Sequence, residues 1–336
     1  MPFVVLFGLV FLIIFYSFKL YFIYLEANRT DATFTKITFG RIEPPKLTEA
    51  TSSAGFDFTL DTIEGVPVTA TAAATVYFMP EIPTRFGYRE KIYLMAKTFG
   101  YDTEVVKHKL DGKIATFEDN GTTLSIDIGN FNFKYVNNVI ETDSLMTGSI
   151  TLSKTNIINK AIDFLKSTGR YPDELSRGTT NLIYLKYDPA HGDFVNVQRA
   201  SEASAVEIDF YRPTVGDIAI ATPKFFNSHN YVIMNFDKGE PNIIRAQMAF
   251  FEKSEEQTGV YPLRTGEEAW MKLKAGQGKI VAGRAGTKSV TIKKMFTAYL
   301  DPDAYQTYFQ PVYVFLGDND FVAYVTAVRD EYLLDQ

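Results

Sequence analysis

Apolar and polar positions are unevenly distributed along this chain. One continuous run, Phe3–Leu25 (FVVLFGLVFLIIFYSFKLYFIYL), carries a single charge, Lys19. A bilayer-spanning helix needs about 20 apolar residues at about 1.5 Å each, so this run predicts a transmembrane anchor over residues 1–25. Each Phe, Leu, Ile or Val there is worth up to about −0.3 to −0.6 kcal/mol at the membrane centre, and Lys19 costs at most about 2.5–3.5 kcal/mol. The apolar sum dominates, and Lys19 sits near one end, where its stem can snorkel outward. Tyr16, Tyr21 and Tyr24 suit an interfacial belt. A cleaved signal peptide would have a basic start and a shorter apolar core. No basic residue precedes Lys19, and Glu26-Ala27-Asn28-Arg29 is a poor cleavage site. The absence of Cys excludes a lipoprotein anchor. Pro311–Val328 is interrupted by Gly317-Asp318-Asn319-Asp320 and does not read as a second span.

Beyond residue 25 the pattern changes to period two. Phe56, Phe58 and Leu60 alternate with polar residues, as do Leu124, Ile126 and Ile128, then Phe131, Phe133 and Tyr135, then Val206, Ile208 and Phe210. This spacing predicts half-buried strands. Thr75–Met79, Tyr231–Phe236, Val290–Leu300, Pro311–Leu316 and Phe321–Val328 read the same way. Asp119-Asn120-Gly121 and Gly317–Asp320 read as hairpin turns.

Three short helices are expected between the strands. Thr84–Phe99 places Tyr88, Ile92, Met95, Ala96 and Phe99 on one face, with Gly100 as its stop. Thr155–Ser167 turns Ile157, Ile158, Ala161, Ile162 and Leu165 inward, with Gly169 beyond its end. In the third, Thr265-Gly266-Glu267-Glu268 forms a capping box, Ala269, Trp270 and Leu273 face inward, and Gly276 ends the helix. One helix followed by several antiparallel strands thus recurs three times. That predicts an α+β fold of repeated helix-plus-antiparallel-sheet units. The segments are an anchor (1–25), a Thr- and Pro-containing stalk (26–55), a first α+β domain (56–150), a second unit (151–260) and a third (261–336).

Composition narrows the classes. The 336 residues include 28 Phe and 20 Tyr, ample material for a core, and no Cys, so packing alone must hold the fold. A formal net charge of −6 argues against a nucleic-acid partner, which calls for a basic face.

Motifs that carry chemistry are sparse. His108, His191 and His229 form no His-Glu-x-x-His or His/Cys cluster, and His191 lies in a turn-like Asp188–Asp193 stretch. Gly276-Gln277-Gly278-Lys279 and Gly283–Ser289 lack the glycine and hydroxyl positions of a phosphate loop. Asp301-Pro302-Asp303 and Asp318-Asn319-Asp320 offer surface oxygens to Ca²⁺ without an EF-hand continuation. There is no Gly-x-Ser-x-Gly elbow. Carboxylates paired from distant parts of the chain, as in glycosidases, leave no local signature. No catalytic, cofactor-binding or metal-ligating residue is therefore assigned, and no cofactor is implied.

The C-terminal 130 or so residues resemble extracytoplasmic regulators of the YycH/YycI type and their PepSY-like units. The resemblance rests on Val206-Glu207-Ile208-Asp209-Phe210-Tyr211-Arg212-Pro213 and on Tyr261-Pro262-Leu263 leading into Glu267–Trp270. It continues through Leu273–Gly278, Tyr308–Phe315 and Ala323-Tyr324-Val325. It implies a non-enzymatic protein that acts through contacts on a membrane or envelope protein. The bilayer itself would be met by the N-terminal helix, and the large region would lie outside the cytoplasm. Lys19, Arg29 and Lys36 follow the apolar core, which by the positive-inside rule alone would place that region inside. A structural cell-envelope or surface-assembly subunit and an envelope hydrolase with dispersed carboxylates are the alternatives.

Overall fold

A computed structural model describes residues 11–20, 35–47, 49–69, 71–104, 108–138, 150–284, 286 and 288–335. The chain first lays down β1 (Thr51–Ser52), β2 (Asp57–Leu60) and β3 (Ala73–Phe78), then helix α1 (Tyr88–Thr98). A meander follows: β4 (His108–Asp111), β5 (Ile114–Asp119), β6 (Thr122–Asp127) and β7 (Phe133–Asn137). Helix α2 (Lys154–Ser167) and the one-turn α3 (Asp173–Ser176) lead into β8 (Thr179–Asp188), β9 (Asp193–Val197) and β10 (Ala205–Tyr211). Next come β11 (Ala219–Ala221), β12 (Tyr231–Asp237), β13 (Glu240–Met248), β14 (Thr258–Pro262) and α4 (Gly266–Lys272). The chain closes with β15 (Lys279–Ala282), β16 (Ser289–Leu300), β17 (Tyr308–Phe309), β18 (Pro311–Gly317) and β19 (Val322–Thr326).

These strands form three sheets. The largest has nine strands in the order β4-β5-β6-β7-β13-β12-β10-β8-β9, antiparallel throughout. Its inner face carries Phe117, Leu124, Ile126, Phe133, Val206, Ile208, Phe210, Val232 and Met248. Against that face lie Ile92, Met95 and Ala96 of α1 and Ile157, Ala161 and Leu165 of α2. The second sheet orders β1-β15-β19-β18-β16-β11, with β2 also joining β16 in parallel. Trp270 of α4 packs there against Phe58 and Phe315. A small sheet, β14-β3-β17, completes the set.

Local chemistry sets several boundaries. The capping box forms as its sequence demands: Glu268 N–H donates to Thr265 Oγ1 (3.2 Å), and Thr265 N–H donates to Glu268 Oε2 (2.7 Å). Asn120 and Gly121 both take positive φ, the geometry of the tight β5–β6 turn. Gly178, just before β8, is needed for another reason. A Cβ there would stand 1.8 Å from the Tyr211 carbonyl oxygen at the end of β10, so only glycine lets the two strands close.

Two expectations are corrected. The fold is mostly β, 39% strand and 20% helix, rather than α+β with repeated PepSY-like units. Alternating runs outweigh three helices of 11, 14 and 7 residues, and each large sheet recruits strands from distant parts of the chain. The second correction concerns the anchor. Only residues 11–20 of Phe3–Leu25 are described, as helix, and the rest lies outside the described residues. At 1.5 Å per residue these ten cover about 15 Å, half a bilayer's hydrocarbon core. Among the described residues no helix is long and apolar enough to cross a membrane. The expected stalk is also partly folded into the body. Ile42 is fully buried, and Thr51 and Ser52 pair with Ile280 and Lys279.

Gly178→Ala is expected to lower stability by at least about 2 kcal/mol, because the β8–β10 approach must open. Urea unfolding followed by circular dichroism measures it.

Candidate functional site

The sheets meet around one side chain. Arg212 directly follows β10, is fully buried, and reaches across to the seven-stranded sheet. Its Nε donates to Asp301 Oδ1 at 2.6 Å, just past the end of β16. Its Nη1 donates to Glu174 Oε2 at 3.1 Å on α3, and its Nη2 to the Phe251 carbonyl. The guanidinium lies 3.8 Å from the Phe250 ring centre and 5.3 Å from that of Phe309 on β17. One planar fork therefore touches elements of all three sheets, a geometry that a lysine ammonium cannot reproduce.

His229 sits beside this pair. Its side chain is 7% exposed, and Nε2 is 3.5 Å from Asp301 Oδ2. Among the described residues neither ring nitrogen has a well-formed hydrogen bond. Burial lowers its pKa below the ordinary 6.5, against the pull of Asp301 and Asp303 and with the help of Arg212.

A groove of about 770 Å³ opens next to this junction. Its floor is the outer face of the nine-stranded sheet. Ser125, Lys134 and Gln247 stand in cross-strand register there on β6, β7 and β13. One wall is the segment 80–84, where Pro80 and Pro83 cannot donate to a strand ladder. This wall lies so close to the 127–130 turn that a Cβ on Gly129 would be 2.5 Å from the Ile82 carbonyl oxygen. Phe251, Asp303 and Tyr305 also line the groove, and the Tyr305 hydroxyl donates to the Met79 carbonyl at 2.9 Å, beside that wall.

Most ionisable groups in the groove are already committed. Lys113 Nζ is 2.6 Å from Glu81, and Arg170 Nη1 is 2.7 Å from Glu252. Asp127 Oδ1 accepts from the Gly129 and Asn130 N–H groups of its own turn. Among the described residues the exposed Lys134 side chain makes no ion pair or hydrogen bond, and the buried Asp303 Oδ1 has no donor.

The same outer face holds an unusual acid pair. Glu207 and Asp209 are two residues apart on β10 and point the same way, so each carboxyl acts on the other. Asp209 is fully buried. Burial and the neighbouring Glu207 push its pKa up to about 8, and burial raises that of Glu207 as well. Tyr211 O–H lies 3.1 Å from Asp209 Oδ2 and 3.3 Å from the Phe226 carbonyl.

The motifs singled out in the sequence fall in scattered places. His191 is exposed on its turn, 2.6 Å from Asp188 Oδ2. Asp318 Oδ1 accepts from Thr291 N–H of β16. Gly276 takes φ +81 and closes the α4 segment. Asp301, weighed as a surface calcium ligand, is buried and neutralised by Arg212. Among the described residues no group of three or more His, Cys, Asp or Glu could hold a metal ion. Sequence reasoning missed Arg212 as a clamp, the acid pair and the groove. The only hint was Glu207-x-Asp209-x-Tyr211, whose alternation gives a polar face without saying that it is buried.

No protein-family model matches the chain, and no curated protein matches it. A crystal structure of an uncharacterized protein from Eubacterium rectale aligns with a TM-score of 0.39 and 12% identity. The alignment covers 83% of this chain and 91% of that one. Likeness at that level carries no argument about fold or function.

Two outcomes are expected at the junction. Asp301→Ala removes one of the two carboxylates that compensate the buried Arg212 and costs about 3–5 kcal/mol, whereas the paired change R212M/D301L costs clearly less than the sum of its parts. A double-mutant cycle by chemical denaturation reads this difference. The second outcome concerns pH. The folded chain holds His229 neutral, so below about pH 6.5 the unfolded chain binds more protons. The His229 contribution is complete above that value and is lost as pH falls, and His229→Gln flattens this acid limb in a series of unfolding midpoints.

Proposed function

We propose that this protein is a non-enzymatic interaction module that acts through contacts, with its groove receiving an extended segment of a partner polypeptide. The observation that carries this reading is the groove itself. It is large enough for a chain of several residues, its walls are largely apolar, and most of its charges are tied off in pairs. Such a surface offers complementarity. It does not converge free acids and bases on a reacting atom. The polar row on its floor and the unpaired Lys134 supply the few hydrogen-bonding groups that orient an extended ligand.

A glycosidase would need two carboxyl groups held about 5–9.5 Å apart on either side of a substrate cleft. Glu207 and Asp209 instead stand side by side on one strand, and neither lines the groove. This geometry favours contact over hydrolysis.

A photo-crosslinking residue at position 134, in cells that make the protein naturally, is expected to form a discrete adduct with one other protein. Ile114→Glu on the groove floor should abolish that adduct without altering the circular dichroism spectrum. The same crosslinker at Val195, on the far edge strand, should give none. Equal capture at both positions, or an adduct only with a second copy of this chain, would sink the reading.

A further inference from the structure

We propose that the partner segment received by the groove carries a basic side chain, arginine or lysine, seated against Asp303 and the rings of Phe251 and Tyr305. The proposal rests on the groove reading and adds the chemistry of the segment to it.

The argument starts with the balance of charge. The carboxylates of Glu81, Asp127, Glu252 and Asp303 line the groove, against the ammonium groups of Lys113 and Lys134. All but one of these carboxylates are already answered. Glu81 is paired with Lys113 and Glu252 with Arg170, and Asp127 accepts two N–H groups of its own turn. Asp303 is the exception. Among the described residues it enters no ion pair, and its buried Oδ1 has no donor.

The cations around Asp303 are spent elsewhere. Arg212 is divided among Asp301, Glu174 and the Phe251 carbonyl. Lys253 is shared between Glu174 and Glu255. His229 feels the field of Asp303, but burial works against its charged form. Lys134 is free, yet it stands on β7, and β13 separates it from the stretch that carries His229, about 10 Å at the usual strand spacing. A carboxylate partly withdrawn from water without a counter-charge is costly, and a cation arriving from outside recovers that cost.

The second observation is aromatic. Phe251 and Tyr305 line the groove together with Asp303, their ring centres 6.0 Å apart and their planes at 62°. Both are fixed from behind. The Phe251 carbonyl accepts from Arg212, and the Tyr305 hydroxyl donates to the Met79 carbonyl at 2.9 Å. Tyr305 remains 37% exposed. The negative face of an aromatic ring attracts a guanidinium or ammonium group, and a carboxylate beside it adds a charge-assisted hydrogen bond. The protein satisfies its own Arg212 in this way, with Asp301 and the Phe250 ring. Rings beside a carboxylate select a cation on an apolar stem, which a basic side chain has and a bare inorganic ion lacks. Because the groups are held before binding, little further ordering is needed when the segment arrives.

A random heptapeptide library displayed on phage and panned on the full chain tests the proposal. Peptides retained by the wild type and lost when Ser125→Trp fills the groove floor are expected to share arginine or lysine at one position. In a synthetic copy of such a peptide, citrulline in place of that arginine, or norleucine in place of that lysine, removes the charge without touching the protein. Binding should then weaken about tenfold or more. Asp303→Asn should weaken the parent peptide by a similar factor and leave the uncharged copy unaffected, with a far-ultraviolet circular dichroism spectrum that matches wild type. Peptides that need the open groove yet bind equally well without the basic residue overturn the proposal and leave the groove reading standing. So do peptides that bind D303N as tightly as wild type. If no peptide is lost with Ser125→Trp, the groove reading falls and the proposal with it.

Discussion

The tertiary structure turns on the burial of one guanidinium. Arg212 leaves the end of a strand in the nine-stranded sheet, meets a carboxylate from the seven-stranded sheet, and rests against a phenylalanine of the small sheet. An isolated charge in such a place would cost several kcal/mol. It is tolerated because every direction the fork faces holds an acceptor or an aromatic face: Asp301, Glu174, the Phe251 carbonyl, Phe250 and Phe309. These partners come from four separate stretches of chain, so the charge can be satisfied only when the sheets sit in one relative position. That makes the pair a registration device as much as a source of stability.

The groove follows from this registration. Its floor belongs to one sheet, and the stretch carrying Asp303 and Tyr305 follows directly from Asp301, the residue that Arg212 grips. That stretch therefore cannot drift without straining the clamp. Gly129 fixes the 80–84 wall by letting that segment lie directly on the sheet. The groove is thus bounded by elements that are each pinned by a specific contact.

The outer face of the nine-stranded sheet joins the two features. A single cross-strand row runs Ser125, Lys134, Gln247, Tyr231, Asp209, Asn181. The groove uses its first half and the acid pair its second. Gln247 belongs to both neighbourhoods, since its amide donates to the His229 carbonyl beside the clamp. Polar side chains on a face that the other sheets partly cover are expensive, and here they are concentrated where the fold leaves an opening.

Local elements were legible in the sequence because their causes are local. Alternation at Val206, Ile208 and Phe210 produced a strand, Thr265 and Glu268 produced a cap, and Asn120-Gly121 produced a tight turn, each by short-range sterics and hydrogen bonding. The class was misjudged because three well-marked helices drew attention away from many short strands whose pairing partners lie far along the chain. Nothing in the sequence shows that Arg212 would find Asp301, 89 residues away, or that Asp209 would be sealed beneath the loop after β11. Periodicity tells which residues share a face. Whether that face meets water, a helix or another sheet is decided by the packing of whole layers, because burial and the charge compensation it demands depend on every element that arrives from elsewhere.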